Sequence, residues 1–154
     1  MARLLVLHGP NLNLLGSREP MLYGNTPLTA IDQALKLEAE ALGHQIQSIQ
    51  SNAEDKLVDA IQSAKKFNVD CILINPAAFT HTSIAIRDAL LAVQIPTIEV
   101  HLTIPEAREP FRHTSLIADI VIGRIQGFGA FSYELALSAA HQFLQTQLLN
   151  EETR

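Results

Sequence analysis

Residues 69–75, "VDCILIN", run apolar almost without interruption and close on an asparagine. A strand with one wet face alternates polar and apolar residues, whereas a continuous run is typical of a strand buried on both faces. Sheets covered on both faces are built from parallel strands joined by crossover helices. The rest of the chain should therefore alternate strands with helices.

"RLLVLH" predicts a first strand, ended by Gly9-Pro10. From Thr26 the period changes. Thr26 suits an N-cap and Pro27 the first helical position, and Leu28, Ile31, Leu35, Ala39 and Leu42 recur at helical spacing until Gly43 stops them. "QIQSIQS" reads as a half-buried strand, and Glu54 to Lys66 as a helix with Leu57, Val58, Ile61 and Ala64 on one face. "SIAIRDALLAV" predicts a third helix, "PTIEVHL" a fourth strand, "DIVIG" a fifth, and Ala130 to Leu149 a closing helix. Five strands alternating with helices predict a doubly wound α/β fold. The flavodoxin-like order 2-1-3-4-5 is the natural choice at this length.

The 154 residues predict a single domain over 1–154 with a frayed tail. With 47% hydrophobic and 18% charged residues, the apolar surplus predicts surface covered by other subunits. A net charge of -5 argues against nucleic acid, which demands concentrated Lys and Arg. No basic amphipathic stretch and no apolar run near 18 residues suggest a membrane, and the N-terminal run is too short for a signal peptide. The expectation is a cytoplasmic protein. Cys71, the lone cysteine, lies within the apolar run and is expected in the core.

Ligands of such folds sit outside the carboxyl ends of the strands. The first strand leads into "HGPNLNLLG", which lacks the Gly-Lys-Ser/Thr of a nucleotide-phosphate loop. Asn75 ends the third strand, where it can cap the turn or face a ligand, and His81 follows between two threonines. In "TIEVHL", alternation puts Thr97, Glu99 and His101 on one face and Ile98, Val100 and Leu102 on the other. A carboxylate beside an imidazole inside a covered sheet is either a structural ion pair or a general acid with its orienting partner. Arg108 and Arg112 are spaced i, i+4 and would share a face if helical, as a solvated turn or as an anion clamp. Asp88 shares a stripe with Ile84 and Leu91 on a helix otherwise nearly all apolar, which predicts a helix buried on more than one side. The acid would then be satisfied by Arg87 and nearby groups or lie at a subunit interface.

"SREPMLYG", residues 17–24, reads as a polar loop outside the core, yet carries one of only two tyrosines, with Arg18 five residues before Tyr23. Together "GPNLNLLGSREPMLYG", "NPAAFTHTSIAIRDAL", "IEVHL" and "AREPFRH" resemble type II 3-dehydroquinate dehydratase in order and spacing, over nearly the whole chain. The resemblance implies a flavodoxin-like dodecamer, a tetramer of trimers, with neither metal nor organic cofactor. It implies dehydration of 3-dehydroquinate to 3-dehydroshikimate in the shikimate pathway or in quinate breakdown. By matched motif Tyr23 would be the base, Arg18 its activator, His101 the acid and Glu99 its orienter, with Asn11 holding a water near the enolate. Asn75, His81, Arg112 and the backbone at Leu102 and Thr103 would bind substrate, with Arg108 nearby. Asp88 would reach into a neighbouring subunit's site.

Ile104, Thr114 and Leu116 depart from the family's usual Asn, His and Tyr. In this reading the loop is a lid hinged at Gly16 and Gly24, and the guanidinium favours the phenolate. The four lysines, Lys36, Lys56, Lys65 and Lys66, fall on polar helical stretches, which argues against imine chemistry. Two other readings are a flavin- or nucleotide-binding module on the same fold, and a metal hydrolase using His81, His101, Glu99 and His113.

Overall fold

The computed structural model describes residues 1–153. The chain runs β1 (Arg3–His8), α1 (Pro20–Tyr23), α2 (Leu28–Ala41), β2 (Gln45–Gln50), α3 (Glu54–Lys66), β3 (Cys71–Asn75), α4 (Ile84–Val93), β4 (Thr97–His101), β5 (Gly123–Gln126) and α5 (Phe131–Glu152). The strands pair in parallel in the order β2-β1-β3-β4-β5. This is the flavodoxin-like order expected as the natural doubly wound choice at this length.

Two apolar cores follow from the period of two along each strand. Leu4, Val6, Cys71, Leu73, Ile98 and Val100 meet Leu28, Ile31 and Leu35 of α2 and Ala136, Leu137 and Ala140 of α5. Leu5, Leu7, Ile72 and Ile74 face the other way, onto Leu57 and Ile61 of α3 and Ile86 and Leu90 of α4. Leu35 and Leu57 are fully buried under opposite faces; truncating either to alanine would cost about 2–5 kcal/mol. β2 is covered on both sides: Ile46 packs against the first core and Ile49 against the second.

Gly43 ends α2 as expected. With φ of 81° it lets His44 N–H donate to Ala39 O at 2.8 Å and its own N–H donate to Glu40 O at 3.0 Å, a Schellman closure. The start of α2 is one residue later than predicted. Pro27 is still extended, with ψ of 158°, and no side chain caps the helix. At the end of β1, a Cβ on Gly9 would stand 2.2 Å from the carbonyl oxygen of Pro76. Only glycine lets β1 leave the sheet so close to the exit of β3.

The fifth strand lies further along than "DIVIG". Ile120 and Val121 close a turn back to Ile117 O and pack against the α3/α4 core. That apolar run covers a core instead of joining the ladder, and pairing with β4 begins at Gly123 against Ile98. The α4 helix also differs from expectation: Ile84 and Leu91 are 63% and 48% exposed, with Asp88 exposed between them. Arg87 does not satisfy Asp88. It forms a two-pronged pair with Asp119, at 2.5 and 3.0 Å, which holds the Asp119 carboxyl below its usual range. Among the described residues no helix is long and apolar enough to cross a membrane.

Candidate active site

A cavity of about 220 Å³ opens where β1, β3 and β4 end. It lies at the reversal of strand order between β1 and β3, where open α/β sheets bind ligands. Asn11, Arg18, Tyr23, Asn75, His81, His101, Leu102, Thr103, Arg108 and Arg112 all line it. Glu99 stands behind His101, and Asp88 is not part of the wall.

Glu99 is wholly buried. Its Oε2 accepts from His101 Nε2–H at 2.5 Å, and its Oε1 accepts from Ser115 Oγ–H at 3.0 Å. Arg124, its register partner on β5, brings Nε to 3.2 Å from Oε1, although that N–H is not aimed at the oxygen. A buried carboxylate is tolerated only when compensated in this way. Because Nε2 of His101 is held by Glu99, Nδ1 is the ring nitrogen left for the cavity.

Tyr23 is more buried than a loop residue would be. Pro20–Tyr23 form one helical turn, entered through Glu19 at φ of 38°, and the ring joins the core cluster that contains Leu12, Leu15, Leu28 and Leu102. Two guanidinium groups stand over the ring, Arg18 at 4.7 Å and Arg108 at 5.3 Å from its centre. The Arg18 contact is thus to the ring face, a cation–π arrangement. Gly16 and Gly24, at φ of 96° and 83°, bracket the segment.

Arg108 and Arg112 reach the cavity without sharing a helix. Arg108 follows one 3₁₀ turn, 105–107, in extended backbone, Arg112 ends another, 110–112, and the two flank Glu109 at 3.8 and 3.1 Å. The Glu109 carboxyl is held below its usual range by its own backbone N–H first, then by Arg112 and Arg108. Two cations against one anion, with Arg18 nearby, leave this wall positive, as a carboxylate ligand requires.

Two asparagines and a histidine complete the lining. Asn11 adopts φ of 69°, and its backbone N–H donates to Asn52 Oδ1 at 2.9 Å. Asn75 does cap the turn it enters: its Oδ1 accepts from Ala77 N–H at 3.1 Å, while it also lines the cavity. His81 ends a 3₁₀ turn, and its Nδ1–H donates to Thr114 O at 2.8 Å, so Nε2 is free toward the cavity.

The unusual Thr114 and Leu116 enter these contacts through their carbonyls, to His81 and Arg87, so the side-chain changes leave both bonds in place. The Ile104 side chain instead packs over Gly127. His113 turns away to Arg108 O, and the described residues contain no cluster of three or more His, Cys, Asp or Glu able to hold a metal ion. The four lysines are all exposed and none lines the cavity.

Sequence reasoning missed Ser115, Arg124 and Asn52, which support the lining residues from behind. Arg124 was hidden by the early placement of the fifth strand: Gly123–Gln126 sets it opposite Glu99.

The family model described as dehydroquinase class II matches residues 2–141. The chain is 60% identical over 140 residues to a 3-dehydroquinate dehydratase of Stenotrophomonas maltophilia, covering 91% of this chain and 95% of that protein. It is also 60% identical over 146 residues to one of Cellvibrio japonicus, covering 95% and 99%. The crystal structure of type II dehydroquinase from Butyrivibrio crossotus superposes with a TM-score of 0.88 at 39% identity, covering 90% and 97% of the two chains. The chain therefore belongs to the class II dehydroquinases.

Proposed function

We propose that the protein dehydrates 3-dehydroquinate to 3-dehydroshikimate, with Tyr23 as base and His101 as acid. The observation that carries this reading is a tyrosine beneath two guanidinium groups in the same cavity as a histidine bound to a buried carboxylate. Loss of water next to a ketone needs a base for the α-proton, a stabiliser for the enolate and an acid for the departing hydroxyl.

A cation near a phenol favours the phenolate, which Arg18 and Arg108 would supply once substrate and the closed 17–24 segment exclude water. The phenolate takes the α-proton, and the electron pair moves onto the ketone oxygen. A water held by Asn11 would donate to that oxygen. The enolate pair then returns to form the carbon–carbon double bond as the C–O bond breaks, and the acid form of His101 gives its Nδ1 proton to the leaving hydroxyl, which departs as water, with Glu99 holding the ring in place. Arg108 and Arg112 suit the substrate carboxylate, with backbone N–H groups at Leu102 and Thr103. Asn75 and His81 suit its hydroxyls.

The chain would work as a dodecamer of four trimers, with Asp88 reaching a neighbouring site from the exposed stripe of α4. Absorbance of the conjugated enone formed from 3-dehydroquinate tests the activity. Purified protein that forms no enone would end this reading, and tight retention of flavin or nucleotide would favour a binding module.

A further inference from the structure

Opposite the Glu99 side of the sheet, a chain of hydrogen bonds runs inward from α2 to the cavity. Asp32, one third exposed, receives His8 Nε2–H at 2.8 Å. His8 Nδ1 lies 2.9 Å from the Tyr133 hydroxyl, and Asn75 Nδ2 lies 3.1 Å from the same oxygen. His8 and Tyr133 are wholly buried, and Asn75 is nearly so. None of the three side chains from Asp32 to Tyr133 lines the cavity, and the chemistry proposed above does not use them.

With Asp32 as a carboxylate and His8 as a neutral imidazole, the two ends of this chain set the direction of every bond in it. At the outer end an ionised carboxylate can only accept, so Nε2 of His8 must donate. In a neutral imidazole Nδ1 then accepts, so Tyr133 donates to it, and the phenol oxygen is left to accept from Asn75. At the inner end Ala77 N–H can only donate, so it faces Asn75 Oδ1 and turns Nδ2 toward Tyr133. The two ends impose the same polarity. Burial first, with Asp32 adding to it, pushes the Tyr133 hydroxyl well above the ordinary tyrosine value, so it remains a phenol that can donate. One Nδ2–H of Asn75 is spent on Tyr133, and the other is the polar group it has left for the cavity.

We infer that Asp32, His8 and Tyr133 are positioning residues that fix Asn75 as a hydrogen-bond donor toward the bound ligand. That the ligand is 3-dehydroquinate rests on the dehydratase reading; the polarity of the chain does not. Asp32 governs the cavity at three bonds' remove. Removing its carboxylate frees His8 to take the other tautomer and Tyr133 to reverse, which sets the Tyr133 O–H against the Asn75 Nδ2–H that Ala77 turns toward it, so the amide is held from one end only. Linked bonds of this kind strengthen one another, so the loss spreads along the chain.

Neutron diffraction from crystals of the whole protein grown in heavy water reads the polarity directly. Deuterium is expected on His8 Nε2 and not on Nδ1, with the Tyr133 O–D aimed at His8. Deuterium on Nδ1 would overturn the inference whether or not the protein is active.

Kinetics tests its consequence. Asp32→Ala should lower kcat/KM for 3-dehydroquinate about tenfold. Asp32→Asn, whose Oδ1 can still accept from His8, should restore most of it. With Asn75→Ala already present, Asp32→Ala should cost less than about twofold more, because the two act through one group. Equal losses in both backgrounds, or no difference between the Asn and Ala variants, would reduce the chain to a structural network. A wild-type protein that forms no enone would sink the dehydratase reading and leave the neutron result standing.

Discussion

Phenylalanine at position 23 would keep the ring beneath Arg18 and Arg108 and lose only the hydroxyl. Tyr23→Phe should therefore nearly abolish enone formation with an unchanged melting curve; substantial turnover would place the base elsewhere, with His81 the next candidate. Arg18→Gln should cost several orders of magnitude in kcat, and adding it to Tyr23→Phe should cost little more, because both act on the same base. Additive losses in the double variant would make the arginine a positioner of the lid or substrate. For the acid, His101→Ala should lower kcat by roughly 10²- to 10⁴-fold, and Glu99→Gln by less, since Ser115 still binds that side chain. Near-native rates in both would leave the pair structural.

The Glu99–His101 pairing was legible because a strand's period of two places i and i+2 on one face. The burial of Tyr23 was not: nothing in "SREPMLYG" is periodic, and its packing partners Leu12, Leu28 and Leu102 come from three separate segments.

The α4 helix presents Ile84, Asp88 and Leu91 to solvent in the single chain. A second subunit would cover such a stripe, and light scattering should find a large oligomer. A fully active monomer at assay concentration would refute that. Asp88→Asn should weaken assembly or turnover, read by sedimentation and enone assay together; no change in either would remove its assigned role.

Most elements were legible from their periods and stop signals, Gly43 above all. The fifth strand was not, because "DIVIG" and "GRIQ" are both short and β-branched residues favour the former. What decides is tertiary: Asp119 is held outside by Arg87, and Ile120 and Val121 are spent on a core. That misplacement by itself concealed Arg124.

Across the whole molecule, both faces of the sheet send a polar chain to one cavity, Glu99 with His101 on one side and His8 with Tyr133 on the other. The strand order, the usual doubly wound choice at this length, is not itself readable from the sequence, and neither is the second chain, since it joins α2, β1, β3 and α5.

A separate polar tie lies at the opposite end of the sheet. Ala2 N–H donates to His44 Nδ1 at 3.1 Å, and His44 Nε2–H donates to His141 Nδ1 at 2.8 Å. A proton added at His44 Nδ1 would meet the Ala2 N–H. Burial first, then the His141 charge and the N-terminus, lowers the His44 pKa below the ordinary 6.5. The unfolded chain then binds more protons than the folded one once pH drops below about 6.5, so stability present above that value is lost on acidification. The melting midpoint should fall between pH 7 and pH 5, and His44→Gln, whose amide can accept from Ala2 and donate to His141, should flatten that slope. An identical slope in the variant would assign the acid sensitivity to other groups.

His8 and Asn75 face each other as register partners in the β1–β3 pair. A slip of β3 by one residue would turn Asn75 to the opposite core and bring Ile74 against Tyr133, leaving the Tyr133 oxygen without its donor and the Asn75 amide without its partner. Each stranded buried polar group costs about 1–3 kcal/mol. The same side chains that line and brace the cavity thus proofread strand alignment during folding. A compact but misregistered chain is penalised where its site would fail, so chains that reach a stable state should carry a correctly assembled cavity.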